Sequence, residues 1–197
     1  MPSALIFIAD GTEEMEFTIT YDTLVRAGVK CASVFVPSSS ANEDQKTATC
    51  SRGVKIIADT TLRNVLSGTS AEEADLLVVP GGAKGAETIS GNADVQKLVK
   101  RQLLERGKHV GMICAGSLAA KTSSLPRQPL TSHPSVKNEL DKGFEYSDDP
   151  VVVSGKLVTS RGPGTAFPFA LRLVEEILGA EKRAEVQDPM VFPPGAI

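Results

Sequence analysis

Four short apolar runs, each ending in a turn and each followed by a helical pattern, limit this chain to few folds. Ala4-Leu5-Ile6-Phe7-Ile8-Ala9 is the first, and residues 31–36, 75–80 and 110–113 are the others. They are continuous rather than alternating. A strand that is apolar on both faces needs cover on both, which is the condition of a parallel sheet between helix layers. The stretches between them supply the helices. One is expected over 13–26, with Gly28 past its end and Thr12 or Asp10 as its cap. Residues 93–105 place Val95, Leu98, Val99 and Leu103 at helical spacing ahead of Gly107. Residues 166–178 carry an apolar stripe, and shorter helices are expected near 62–66 and 136–140. Val151-Val152-Val153 and Leu157-Val158-Thr159 flank Ser154-Gly155-Lys156, a hairpin turn. The predicted class is α/β, with a mostly parallel central sheet.

Two stretches stand outside the pattern. Residues 37–49 are polar and lack an apolar period, so an exposed loop is expected there; residues 54–58 after it suit a strand. The tail from Asp188 contains Pro189, Pro193 and Pro194, which forbid a long helix and leave an extended arm or a frayed end. A length of 197 residues with 41 % hydrophobic side chains suits a single domain, 1–197, with a substantial core. The net charge of −3 argues against a nucleic-acid surface. No apolar run approaches the roughly 18 residues of a membrane span. The first residues lead straight into a strand without a basic leader region. Cys31, Cys50 and Cys114 are odd in number and widely spaced, which fits a reducing, cytoplasmic setting better than a disulfide framework. With no CxxC and no clustered His or Cys, no metal site is expected.

The chemistry concentrates at Cys114. Val110, Met112 and Ile113 suit a buried strand, Gly116 and Ser117 suit a break, and a helix is expected from Leu118. A nucleophile on such an elbow stands at the carboxyl end of the sheet, where open α/β folds bind ligands. It also faces N–H groups of the next helix, which favour a thiolate. A packed structural cysteine fits the same elbow equally well. Gly81 and Gly82, directly after the third strand, let a backbone approach a ligand and offer N–H groups to an oxyanion, or simply make a tight turn. His109 lies about 16 Å from Cys114 along an extended segment and reads as structural or solvated. His133, on an irregular segment, is a candidate base or an incidental loop histidine. Glu13 and Glu14 read as solvated acids favoured by the helix dipole, and Glu16, one turn on, as another surface acid.

Ala9-Asp10-Gly11-Thr12-Glu13-Glu14-Met15-Glu16, Val79-Pro80-Gly81-Gly82, Ile113-Cys114-Ala115-Gly116, Ser132-His133-Pro134 and Thr159-Ser160-Arg161-Gly162-Pro163-Gly164-Thr165 stand in one order. In that order the chain resembles the DJ-1/PfpI superfamily over nearly its whole length, most of all the DJ-1 branch. The resemblance implies a flavodoxin-like fold, a homodimer, and a reactive cysteine hydrogen-bonded to a protonated glutamate. Members are described as glutathione-independent glyoxalases, as deglycases, and as oxidative-stress sensors or chaperones. The matching positions are Cys114, Glu16 and the nearby His133, with Gly81, Gly82 and Ala115 around the oxyanion. Arg26 and Arg52 match arginines near the family's dimer interface, and Met15, with Ile19 and Leu24, is expected to face the partner. Ser117 replaces a common proline. Ala115 stands where the peptidase branch has a histidine. Ser135 stands where related amidotransferases carry a glutamate that orients the histidine, so a complete relay is expected to be missing.

The reaction implied converts methylglyoxal or glyoxal, small 2-oxoaldehydes, to lactate or glycolate through a hemithioacetal on Cys114, with no cofactor. Glu16 would move the proton between carbons. The other reading is a sensor or chaperone that works through oxidation of Cys114. A cytoplasmic location, with a nuclear pool, follows from the resemblance.

Overall fold

The computed structural model describes residues 1–39 and 44–197. Strand β1 (Ser3–Ile8) is followed by helix α1 (Glu14–Arg26) and strand β2 (Lys30–Phe35). Next come β3 (Thr47–Thr49), β4 (Lys55–Ile57), β5 (Thr60–Thr61) and the short helices α2 (Leu62–Ser67) and α3 (Ser70–Glu73). Strand β6 (Leu76–Val79) leads into α4 (Ala83–Gly91) and α5 (Ala93–Lys100), and β7 (His109–Ile113) into α6 (Leu118–Thr122). After β8 (Pro129–Leu130), α7 (Lys137–Leu140) and β9 (Glu145–Tyr146), the hairpin β10 (Val151–Ser154) and β11 (Leu157–Ser160) precedes α8 (Ala166–Leu178) and α9 (Ala180–Gln187).

The central sheet has the order β10-β11-β7-β6-β1-β2-β5, parallel throughout except for β10. Its alternation explains the continuous apolar runs. Ala4, Ile6 and Ile8 of β1 join Leu24 of α1 and Phe169 and Leu173 of α8 on one face. Leu5 and Phe7 join Ile89, Val95 and Ala119 of α4, α5 and α6 on the other. Fully burying each such side chain contributes about 1.5–3 kcal/mol, so both faces are needed to hold the helix layers. Gly111 lets α8 approach β7: a Cβ there would lie 3.0 Å from Phe169 and 3.1 Å from Leu173. The chain is therefore a flavodoxin-like α/β fold. It winds from β1 outward to β2 and β5, then returns to β6 on the other side of β1. The crevice beyond the carboxyl ends of β1 and β6 is thus the topological switch point.

Several expectations are corrected. The cap of α1 is Glu13, whose carboxylate accepts the Glu16 N–H at 2.8 Å. Thr12 Oγ1 instead accepts from the Ala9 N–H, and Asp10 Oδ1 from the Thr49 N–H. The polar stretch 37–49 is not all loop. Residues 40–43 lie outside the described residues, but 47–49 form β3, paired antiparallel with β4 in a ribbon outside the main sheet. Ala48 is fully buried beneath it while Thr47 and Thr49 face outward, a period too short to stand out among polar neighbours. The helix over 93–105 ends in a π turn, Arg101–Glu105, where Gln102 is buried and donates to the Ala74 carbonyl at 3.1 Å. Helix α9 was not anticipated. Beyond it the tail makes a 3₁₀ turn, Asp188–Met190, and Phe192 packs edge-on against Phe167 with ring centroids 5.1 Å apart. Among the described residues no helix is long and apolar enough to cross a membrane.

Candidate active site

Cys114 ends β7 and opens the 3₁₀ turn Cys114–Ser117 that precedes α6. Its φ is +62°, a left-handed conformation that costs a residue with a Cβ roughly 1–2 kcal/mol. Close packing from β6 holds it there. Gly116 lies so near the end of β6 that a Cβ would come within 2.3 Å of the Val79 carbonyl oxygen. Ser117, at the proline position of the resemblance, donates its hydroxyl to the Thr131 carbonyl at 2.9 Å and so ties the elbow to the segment bearing His133. The His133 N–H donates to the Cys114 carbonyl at 3.3 Å.

Glu16 is fully buried, not a surface acid, because α1 turns its first-turn face into the crevice at the switch point. Its Oε2 accepts the Gly81 N–H at 2.7 Å, and Oε1 has no partner among the described residues. A Cβ on Gly81 would sit 2.5 Å from Cys114 Cβ, 2.7 Å from Glu16 Oε2 and 2.8 Å from Cys114 Sγ. Glycine is what allows the three elements to meet. The Gly81 N–H, expected to face an oxyanion, is taken by Glu16. The Gly82 N–H, at a residue with φ of +83°, favours the Cys114 thiolate together with that of Ala115.

Burial pushes the Glu16 carboxyl up to about 7. Burial, and then the Glu16 charge, push the Cys114 thiol up to about 12, against the pull of the Ala115 and Gly82 N–H groups. The expectation of a thiol lowered by helix N–H groups therefore fails, burial before all else outweighing their pull. The two groups form a coupled pair that resists holding two negative charges, and protonating Glu16 removes the repulsion. Cys31 and Cys50 are pushed up to about 12 and about 11, each first by burial and then by the charge of nearby acids, Asp59 for Cys31 and Glu14 for Cys50.

Cys114, Ala115, Gly82 and His133 line a cleft of about 260 Å³, together with Glu13, Ser51, Arg52, Ser135 and Pro163. It is smaller than the usual pocket for a drug-sized ligand. A larger groove, about 570 Å³, adjoins it through Ser51, Arg52 and Ala83 and is lined further by Asp10, Thr49, Lys84 and Cys50, whose thiol is buried. The smaller cleft is the one that brings Cys114 and His133 together. His109 sits at the opposite end of β7, buried, with Nε2 unpartnered among the described residues.

Several contributors were illegible in the chain. Glu13 and Glu14, read as solvated, are buried. Glu14 accepts from Ser51 Oγ and from the Arg52 N–H, both at 2.8 Å, which fastens the β3–β4 ribbon beside the cleft. Ser135 Oγ lies 2.8 Å from His133 Nδ1, so the orienting position is occupied by a hydroxyl rather than empty. Of the residues expected to face a partner, Met15 is 52 % exposed, Arg26 is exposed and bonded to Asp22, and Arg52 is exposed, whereas Leu24 is fully buried in the core. Among the described residues no group of three or more His, Cys, Asp or Glu side chains is placed to hold a metal ion.

The chain is similar to known proteins. The DJ-1/PfpI family description matches residues 2–176. "Glutathione-independent glyoxalase DJ-1" of Schizosaccharomyces pombe is 38 % identical over 195 residues, covering 98 % of this chain and all of that protein. "Glutathione-independent glyoxalase DJR-1.2" of Caenorhabditis elegans is 34 % identical over 190 residues, 95 % of each chain. Among solved structures, Schizosaccharomyces pombe DJ-1 superposes with a TM-score of 0.88 at 36 % identity, covering 97 % of this chain and all of that one. Drosophila melanogaster DJ-1beta gives 0.87 at 37 % identity, covering 98 % of both.

Proposed function

The chain belongs to the DJ-1/PfpI family, and from that premise we propose that it is a glutathione-independent glyoxalase acting on methylglyoxal or glyoxal. Two relatives that match nearly end to end are named for that activity. The observation that carries the reading is the meeting of Cys114 and buried Glu16 across Gly81. A 2-oxoaldehyde needs a nucleophile for its aldehyde carbon and a group that moves a proton between adjacent carbons. The Cys114 thiolate forms the S–C1 bond as the aldehyde π bond breaks, and the aldehyde oxygen takes the proton of the Glu16 carboxyl to give a hemithioacetal, leaving Glu16 as the carboxylate. Glu16, as carboxylate, removes the C1 hydrogen as a proton to give an enediolate and returns it to C2, while the C1 hydroxyl proton passes to the C2 oxygen. The product is a thioester of the 2-hydroxy acid. Water cleaves it, releasing lactate from methylglyoxal and restoring the thiol. Overall one water is added and no electrons leave the substrate, so no external oxidant or reductant is required.

The Gly82 and Ala115 N–H groups support the charge that develops in the cleft. The site lies in a single chain, and the reading includes a homodimer with α1 and Arg52 toward the partner. Deglycation of proteins or nucleotides by the same thiol, and a cytoplasmic location, belong to this reading as extensions of it. The test is incubation of the purified protein with methylglyoxal in the absence of glutathione, with lactate quantified. Cys114→Ser is expected to lose essentially all turnover with the fold intact, because a hydroxyl ionises far less readily than a thiol and is a much weaker nucleophile. Trace lactate that is equal in wild type and variant would instead favour a sensor working through oxidation of Cys114.

A further inference from the structure

The two ring nitrogens of His133 have different surroundings. Nδ1 lies 3.2 Å from the backbone nitrogen of Ser135, which donates to it, and 2.8 Å from Ser135 Oγ. The contact makes His133 the cap of the 3₁₀ turn Pro134–Val136. A backbone N–H can only donate, so Nδ1 must accept, and a proton on Nδ1 would collide with it. The Ser135 hydroxyl can turn its own proton to the same acceptor. In a neutral imidazole the ring proton then resides on Nε2, which has no partner among the described residues. His133 lines the cleft of Cys114, and its backbone N–H donates to the Cys114 carbonyl.

We infer that Ser135 holds His133 in the Nε2–H tautomer, so that His133 meets the substrate as a hydrogen-bond donor and is not the base that takes the Cys114 proton. To act as that base, His133 would need an empty Nε2, and therefore a proton on Nδ1 against the Ser135 N–H. A donor at Nε2 suits the substrate's second carbonyl oxygen, where negative charge gathers as the enediol forms. Ser135 is thus a positioning residue acting through His133. The identity of the substrate rests on the glyoxalase reading above, but the tautomer does not.

The test has a spectroscopic arm and a kinetic arm. The chain contains two histidines, so ¹⁵N-histidine labelling gives two ring systems, and His109→Gln identifies the signals of His133. A two-bond ¹H–¹⁵N correlation spectrum at neutral pH is expected to show His133 protonated on Nε2 alone. Ser135→Ala, which removes the hydroxyl and keeps the backbone donor, is expected to leave the proton on Nε2. In the kinetic arm, the amide nitrogen of His133→Gln reaches the Nε2 position and donates but cannot act as a base. Its kcat is expected within about 10-fold of wild type, whereas His133→Ala should lose about 10²-fold. A wild-type His133 that carries a proton on Nδ1 would overturn the inference. So would a folded His133→Gln as slow as His133→Ala. The spectrum needs no turnover, so absence of lactate formation would remove the glyoxalase reading and leave the tautomer standing.

Discussion

In the proposed reaction Glu16 is protonated at one moment and charged at another, and its surroundings put both states within reach. Burial raises its carboxyl to about 7, while the Gly81 N–H opposes the rise by favouring the anion. The consequence for activity is directional: initial attack by a Cys114 thiolate, which depends on protonated Glu16, should weaken as pH rises through about 7. The consequence for stability has the same direction. A carboxyl raised on folding binds more protons in the native than in the unfolded state between its unfolded value of 4.5 and about 7. Stability therefore falls as pH climbs through that window, by up to about 3 kcal/mol if burial alone is responsible. Glu16→Gln keeps an acceptor for the Gly81 N–H and cannot ionise. It should be more stable than wild type at pH 8, with the two converging toward pH 4.5, as read by denaturant midpoints at each pH. Cys114 in this variant should still react with iodoacetamide at neutral pH, because the amide adds no like charge. Lactate formation should fall about 10²-fold or more, because an amide cannot carry a proton between carbons. If alkylation and turnover both persist, Glu16 has no part in the chemistry.

At the scale of elements, the site is a junction of three chain ends. Strand β6 ends in Pro80-Gly81-Gly82, β7 ends in Cys114, and α1 brings Glu16 from the β1 side. The ribbon β3–β4 is fastened to the same junction by the Gly11 N–H on the Thr49 carbonyl, 2.8 Å, and the Ser51 N–H on the Thr12 carbonyl, 2.8 Å. Glycine at 81 is required by contact rather than by turn geometry. Gly81→Ala would press a methyl against the Cys114 Cβ and Glu16 Oε2, costing about 1–3 kcal/mol in overpacking if the fold survives. Lactate formation should fall more than stability does, because the backbone shift that relieves the clash separates Cys114 from Glu16. Thermal denaturation alongside the lactate assay checks this, and wild-type turnover in a folded Gly81→Ala would show that the spacing of the pair is unimportant. The strands of this junction were legible, because a run buried on both faces leaves a continuous apolar signal. The helix over 166–178 agrees with α8 to the residue. The ribbon was not legible: one buried alanine between two threonines carries too little pattern.

For the whole molecule, Met15, Ile19, Asp22 and Arg26 fall on one stripe of α1 at spacings of four, three and four. Met15 is 52 % exposed, and the adjoining ribbon exposes Val54 and Ile57, the latter at 75 %. Glu14 couples helix and ribbon through Ser51 and Arg52. Exposed apolar side chains on α1 and on the ribbon fastened to it, with Arg26 and Arg52 exposed on the same two elements, suit a surface that a second chain would cover. Light scattering at micromolar concentration is expected to give twice the chain mass, and Met15→Glu to shift it toward the single-chain value. A wild-type monomer at that concentration would remove the homodimer from the proposal.

The sequence by itself determined the alternation of strands and helices, the parallel sheet, and the elbow at Cys114. These follow from local periodicity and from turn residues adjacent in the chain. The resemblance added which acid and which histidine to examine. Only the tertiary structure decided what those residues are physically. Glu16 reads as a surface acid until α1 docks over the crevice and brings it to Gly81, 65 positions away in the chain. Its raised pKa is a property of burial, which no local pattern encodes. The cap of α1 passed from Thr12 and Asp10 to Glu13 because β1 and the ribbon claimed the first two side chains. Ser135 looked like the missing member of a relay until folding set it against Nδ1 of His133. Periodicity reports which face of an element is apolar, but the partner of a buried polar atom is chosen by whichever distant segment packs against it.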